Sequence, residues 1–376
     1  MQLVSKEGKI TVTVLPYGLT IHSIEVKTKD VVHELLAGPE DAADHTTYPR
    51  QFYGPIVGRY ANRLPAGPRQ VHDAHVAWRE WGGDGVSHHG GPPPPLSTGT
   101  TDGLVQAGPW DCVEWTPLET QAVCMYTPDE CQAWDDRCVW ALESPDGDQG
   151  YPGRVRVEAL IGVRSQPGTL GQVHVEYRAQ LLPPFSTSTP INLTQHWGFQ
   201  LAASDPRYHG ATIDEHLLQL GVEGQPLYHL ALDERGIATG EVDACEGMHD
   251  WTSMRPIQAH DYDYDDFYVW GQHDTTKPVA HVQGPTGVEL VVRTNQAGVQ
   301  LYTANSKPAP FAKKQKHRRH HAAPETEEKH GAAFLEFSAP HATCLYPSLA
   351  KLAGTTTMLA SHQVYQHWVT IDVIAP

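Results

Sequence analysis

Apolar and polar residues alternate with a period of two along much of this chain. Val173, Val175, Tyr177, Ala179 and Leu181 fall on one side of a run, and Gln172, His174, Glu176, Arg178 and Gln180 fall on the other. Successive side chains of a strand point to opposite faces, so the run predicts a strand with one face on a core. The same reasoning predicts strands over 155–163, 288–292, 299–302 and 364–374, the last with Val369, Ile371 and Val373 on its apolar side. The first 18 residues alternate as well. Pro145-Asp146-Gly147, Tyr151-Pro152-Gly153 and Gln166-Pro167-Gly168 supply turns between such runs. No long amphipathic helix and no short-period repeat is visible. The expected fold is therefore all-β, a large antiparallel β-sandwich of two sheets packed face to face.

Length does not decide the domain count, because 376 residues allow two domains and β-sandwiches often run long as one. We expect a single domain over 1–376 that carries two loop insertions. Gly90 to Gly103 holds four consecutive prolines, which lack the amide donor a sheet interior needs. Ser306 to Gly331 is polar and blocky, with KKQKHRRHH followed by ETEEK, and reads as a mobile surface loop with too little apolar content to pack. Its basic block (Lys313, Lys314, Lys316, Arg318, Arg319) has the look of a nuclear-import patch, although a solvated loop explains it more simply. The histidines at 317, 320 and 321 are suited only to adventitious metal in so loose a frame.

Charge and cysteine usage narrow the class of partner. There are 44 acidic against 27 basic residues, and the net charge of −17 argues against nucleic acid or an anionic membrane. No apolar run has the length of a signal peptide or a membrane span. The six cysteines form no CxxC pair or zinc spacing, which leaves disulfides open but unnecessary in a chain of this size. Asn192-Leu193-Thr194 is a glycosylation sequon beside a candidate functional histidine, His196. A cytoplasmic protein, monomeric or weakly dimeric, is the expectation.

Candidate chemistry begins with PINLTQHWGFQL (190–201), which sets His196 in a strand-like context. Asn192, Thr194 and Gln195 can fix an imidazole's tautomer, and Trp197 can offer a flat surface beside it. Five other places supply polar groups on or beside strands. RYANR (59–63) brings Asn62 and Arg63, and SHHGG (87–91) sets His88 and His89 before two glycines. DYDYDD (261–266) interleaves carboxylates with tyrosines, Gln296 lies just before the strand carrying Gln300 and Tyr302, and Glu336 follows Phe334-Leu335. Each has a plain structural reading: a braced loop, a turn, a solvated edge, an outward-facing acid. Their joint occurrence in this order points to a site for a neutral polyol. Sugar hydroxyls both donate and accept, so Asn, Arg, Asp and Gln read them while an aromatic face covers the ring. A carboxylate and a histidine add a base and an acid.

The ordered motifs closely resemble the aldose 1-epimerase (galactose mutarotase) family. They are GPIVGRYANRL (54–64), SHHGG, SPDGDQGYPG (144–153), TPINLTQHWGFQL (189–201), ATGE (238–241), YDDFY (264–268), NQAGVQLYTAN (295–305) and FLEFSAPHA (334–342). The resemblance implies a β-sandwich isomerase of free aldohexoses such as glucose or galactose, active without a cofactor or metal. It further implies His196 as general acid and Glu336 as general base. Asn62, Arg63, His89, Asp265 and Gln296 match the sugar-binding positions, with Asp263 and Asp266 as alternatives to Asp265. Gln195 stands where the family usually has Asn, and Phe337-Ser338 follows the base in place of Thr-Gln or Pro-Gln.

In the implied reaction Glu336 takes the proton of the C1 hydroxyl while His196 protonates the ring oxygen. The ring opens, the aldehyde turns about C1–C2, and the roles reverse on closure. We expect the two groups to meet the pyranose from opposite sides of one cleft. Two alternatives remain on the same fold: a non-catalytic sugar-binding or regulatory protein, and a hexose-6-phosphate 1-epimerase, for which Arg59 and the basic loop are the candidate phosphate ligands.

Overall fold

The computed structural model describes residues 1–375 except 49, 94–104, 120, 121, 124, 185–187, 307 and 320–323. Its long alternating segments all become strands. Asp136–Ser144, Val155–Arg164, Gly171–Leu181, Tyr365–Ile374 and Glu289–Thr294 lie side by side, in that order, in a nine-stranded sheet. Six more strands form a second sheet in the order Trp197–Phe199, Ala333–Ser338, Gly298–Tyr302, Asp265–Val269, Tyr228–Leu232 and Ala238–Ala244. Ladders within both sheets are antiparallel. The helices are short, the longest described being Pro347–Ala353, and none is long and apolar enough to cross a membrane. The expected all-β sandwich is what the chain forms.

One core joins the sheets. Val157, Ile161, Val173, Val175, Tyr177 and Ile371 of the larger sheet share it with Trp197, Phe199, Tyr268, Val299, Leu301, Leu335 and Phe337 of the smaller. Each such side chain, fully buried, contributes roughly 1.5–3 kcal/mol through apolar area removed from water. Strand alternation then dictates what the smaller sheet shows on its other face. Leu335 and Phe337 point inward, so Phe334 and Glu336 point outward; by the same rule Gln300, Tyr302 and Asp265 share that outer face.

The polar side of Gly171–Leu181 is covered as well: Trp134 stacks on His174 at 4.6 Å, and Arg178 pairs with Glu130 of the short helix Pro128–Gln132. One expectation needs correction: the described part of 306–331 is not a loose surface loop. Phe311, Lys313, Lys314, His317, Glu327 and His330 are all buried. The few apolar groups pack, with Phe311 edge-on to Tyr53, and the charges find partners: Lys316 pairs with Glu25, and within the segment Lys313 pairs with Glu325 and Arg319 with Glu328. A block whose cations are engaged in this way is not a free import patch. His320, His321 and most of the Pro-rich segment lie outside the described residues. All five described cysteines are free.

Candidate active site

The outer face of the smaller sheet forms the floor of a cleft of about 450 Å³. His196 immediately precedes the Trp197–Phe199 strand, and extending the Trp197–Leu335 register by one residue sets it beside Glu336. Accordingly His196 Nε2 lies 3.0 Å from Glu336 Oε1, with both side chains almost fully buried. Phe52 stacks on the imidazole at 5.3 Å between ring centroids, while Phe334 and His89 meet it edge-on. Its backbone is pinned on both sides, donating to the Pro55 carbonyl and accepting from the Gly54 amide. His196 and Glu336, the expected acid and base, therefore stand side by side on one wall and not on opposite sides. The reason is topological: they occupy adjacent strands of one sheet.

A second wall is made where two motifs pair. Arg63–Pro65 forms a ladder with Val86–His88, so RYANR and SHHGG become neighbours. Asn62 and His89 then exchange two bonds: the Asn62 amide donates to His89 Nδ1 at 3.1 Å, and the His89 amide donates to the Asn62 carbonyl at 3.1 Å. Because His89 Nδ1 accepts, the neutral ring carries its proton on Nε2. Burial, with His88, His196, Arg50 and Arg63 nearby, holds His89 well below the usual histidine range. It is thus a neutral N–H donor facing the cleft. The Asn62 Nδ2 amide is buried there with no protein partner. The turn that follows depends on glycine, since Gly90 has φ +81° and a Cβ there would lie 2.1 Å from the Gly58 carbonyl oxygen.

The third cluster is Asp265, Gln300 and Arg63. Gln300 Nε2 donates to Asp265 Oδ1 at 2.8 Å, and Arg63 Nη2 donates to Oδ2 at 3.3 Å. Gln300 sits directly opposite Glu336 in the ladder. Gln296 does not reach the cleft; it precedes the strand and lines a separate cavity with Asn295, Tyr365 and Gln366. Of the three candidate aspartates, Asp265 lines the cleft, Asp263 pairs with Lys329 and His330, and Asp266 faces His229 on the other side of the strand.

Several expected supports play other parts. Trp197 points into the core and stacks on Phe199, so the aromatic surfaces of the cleft come from Phe52, Tyr53, Tyr302 and Phe334. Gln195 bonds to the Tyr177 hydroxyl and the Gly54 carbonyl beneath the site. Arg59 is buried and bonds to Ser144, Pro145, Pro152 and Gly153, bracing the SPDGDQGYPG turns. Asn192 is 1% exposed with its amide committed to Ala339, so the sequon offers no glycan acceptor in the fold. Residues that sequence reasoning missed include Phe52, Tyr53, Arg50, Gln300 and Glu327. Arg50 bonds to the His89 and Gly91 carbonyls and pairs with buried Asp111. Only Gln300 had a legible signal, its equal parity with Tyr302 on a predicted strand.

His89, His196 and Glu336 each place one ligand-type atom within 4.8 Å of the others. The set is a poor metal cradle, because the Nδ1 lone pair of His89 already accepts the Asn62 amide and its Nε2 bears a hydrogen.

The sequence matches the family model "Aldose 1-epimerase" over residues 1–330. That stretch ends before Glu336, whose placement is carried by strand register and by its contact with His196. Among curated proteins, the galactose mutarotase of Rattus norvegicus is 26% identical over 311 residues, covering 80% of this chain and 76% of the relative. The aldose 1-epimerase of Escherichia coli K12 is 27% identical over 308 residues, covering 79% and 76%. Among solved structures, an aldose epimerase homologue from C. elegans superposes with a TM-score of 0.75 at 17% identity, covering 100% of this chain and 98% of that one. The galactose 1-epimerase of Lactobacillus acidophilus gives 0.69 at 18% identity, with coverage of 99% and 93%. This chain belongs to the aldose 1-epimerase family.

Proposed function

We propose that the protein interconverts the α and β anomers of a free aldohexose such as galactose or glucose, by acid–base opening and closure of the ring. The observation that carries this reading is the contact between buried His196 and buried Glu336, at 3.0 Å, inside a sugar-sized cleft. The two oxygens that must exchange protons, the C1 hydroxyl and the ring oxygen, are bonded to the same carbon. An acid and a base standing shoulder to shoulder on one wall can therefore reach both, and opposing walls are unnecessary. Glu336 accepts the hydroxyl proton, His196 donates to the ring oxygen, and the C1–O bond within the ring opens to the aldehyde. After rotation about C1–C2 the roles reverse. His89, as a neutral Nε2–H donor, steadies charge developing on the ring oxygen. Asn62, Arg63, Asp265 and Gln300 read the remaining hydroxyls, with Gln300 taking the part expected of Gln296. No step calls on a cofactor.

The charges around the cleft favour a neutral sugar over a phosphorylated one. Arg50 and Arg63, the two arginines of the lining, are already committed to Asp111 and Asp265. Arg59, the other candidate phosphate ligand, is buried elsewhere. A main core running from Leu3 to Val373 supports one domain, and the buried sequon suits the cytoplasm. Polarimetry on freshly dissolved α-D-galactose and α-D-glucose tests the proposal. Catalysed decay of the rotation is expected for free hexoses and a much weaker effect for their 6-phosphates. A rate no faster than buffer alone, with sugar binding intact, would leave a non-catalytic sugar binder.

A further inference from the structure

A second constellation lies on the reverse of the strand that carries Asp265. Alternation sends Asp265 to the cleft and Asp266 to the opposite face of the sheet, beside the neighbouring strand Tyr228–Leu232. There His229 Nε2 lies 4.0 Å from Asp266 Oδ1. His229 is registered opposite Tyr268, and His249, from the turn Gly247–His249, lies against it with ring centroids 4.5 Å apart. One ligand-type atom from each of His229, His249 and Asp266 lies within 4.8 Å of the other two, and all three residues are half-buried.

The far nitrogens of both rings have outer partners. His249 Nδ1 is 3.0 Å from the Tyr268 hydroxyl, and His229 Nδ1 is 4.0 Å from Asp243 Oδ2. When His249 Nδ1 donates to that hydroxyl its Nε2 is left to bind an ion, and the nearby Asp243 carboxylate favours the same tautomer in His229 electrostatically. The frame is firm, because His229, Tyr268 and Asp266 sit on paired strands and the His249 ring meets Tyr262 edge-on at 5.4 Å. Arg255, the nearby cation, is spent on the Asp250 and Met248 carbonyls and the Trp251 face.

We propose that His229, His249 and Asp266 bind one divalent transition-metal ion, Zn²⁺ being the natural occupant, at a site separate from the sugar cleft. Two imidazoles and one carboxylate suit Zn²⁺, Co²⁺ or Ni²⁺, whereas Mg²⁺ and Ca²⁺ prefer oxygen alone. Ligands bonded at about 2.0–2.1 Å to a tetrahedral Zn²⁺ stand roughly 3.3 Å apart, so ligand atoms that lie within 4.8 Å of one another would draw together by up to about 1.5 Å around an ion. Water completes the coordination.

The test is a titration of the chelator-treated full chain with Zn²⁺ by calorimetry and with Co²⁺ by visible absorption. One saturable equivalent per chain is expected, with Co²⁺ bands of a nitrogen- and oxygen-ligated centre. His249→Gln and the double variant His229→Gln/His249→Gln should weaken binding ten-fold or more, and His196→Gln should not. Circular dichroism and the thermal midpoint without metal check that each variant is folded. No saturable binding to the wild type overturns the site, as does binding unchanged in the folded double variant. Loss of binding in His196→Gln would move the ion to the cleft and overturn it equally. None of these readouts depends on sugar turnover, so the metal proposal and the epimerase reading stand or fall separately.

Discussion

Asn192 and Ala339 hold each other through two hydrogen bonds: the Asn192 amide donates to the Ala339 carbonyl at 3.0 Å and accepts from its N–H at 3.1 Å. This clasp ties the chain just before His196 to the chain just after Glu336, the proposed acid and base. Asn192→Ala leaves the buried Ala339 N–H without a partner while the Ala339 carbonyl keeps the Ser338 hydroxyl, at a cost of roughly 1–3 kcal/mol. We expect a lower thermal midpoint together with a fall in kcat larger than any change in KM. A variant that loses stability but retains full turnover per folded molecule would show that the clasp supports the fold alone.

The two groups it aligns should be indispensable for turnover and dispensable for binding. Glu336→Gln keeps the shape of the side chain and removes the base, so the catalysed rate should fall about 10²–10⁴-fold while sugar affinity stays within a few-fold. His196→Gln should behave alike. Polarimetric rates combined with sugar binding followed by calorimetry separate the two effects, and near-normal turnover in either variant removes that residue from the mechanism.

Gln296 and Gln300 allow a sharper comparison, because they stand in one motif and only Gln300 bonds to a residue that lines the cleft. Gln300 donates to Asp265 and lies opposite Glu336, whereas Gln296 bonds to Asn295 in a separate cavity. Gln300→Ala removes a hydrogen bond to a carboxylate, a change of about 1.5–3 kcal/mol, and should lower kcat/KM ten-fold or more. Gln296→Ala should leave kcat/KM within two-fold. The reverse ranking would return the role to Gln296.

That pair also shows how far the sequence could be read. The acid, the base, Asn62, Arg63, His89 and Asp265 all belong to distinctive motifs, and the fold brings these together because the motifs pair with one another as strands. Choosing between the two glutamines needed the register of Gly298–Tyr302 against Ala333–Ser338, which a motif does not encode. The segment 306–331 was misread for another reason. Its apolar content is low, but Lys316 and Lys314 find Glu25 and His22 nearly three hundred residues away. Composition counts what a segment carries and is blind to the partners waiting for it. Trp197 failed on parity, since a residue adjacent to His196 on a strand must face the other way.

Glu327, from that same segment, lines the cleft while only 5% exposed, and it accepts a hydrogen bond from the Gly38 amide at 3.0 Å. Burial pushes its carboxyl up from 4.5 to about 7, against the opposing pull of the Gly38 bond and of Lys313 and Lys314. Below about pH 4.5 the group is protonated in folded and unfolded chains alike, and its contribution to stability is fully present. As pH rises toward about 7 the unfolded chain gives up the proton while the fold retains it, so the contribution is lost progressively and is gone above that value. The loss is on the order of 3 kcal/mol. Glu327→Gln keeps the acceptor for Gly38 and cannot titrate. Thermal midpoints of both proteins between pH 4.5 and 8 should therefore diverge, the wild type losing ground to the variant as pH rises. Two curves that stay parallel would mean that Glu327 is ionised in the fold throughout, with Lys313 and Lys314 outweighing its burial.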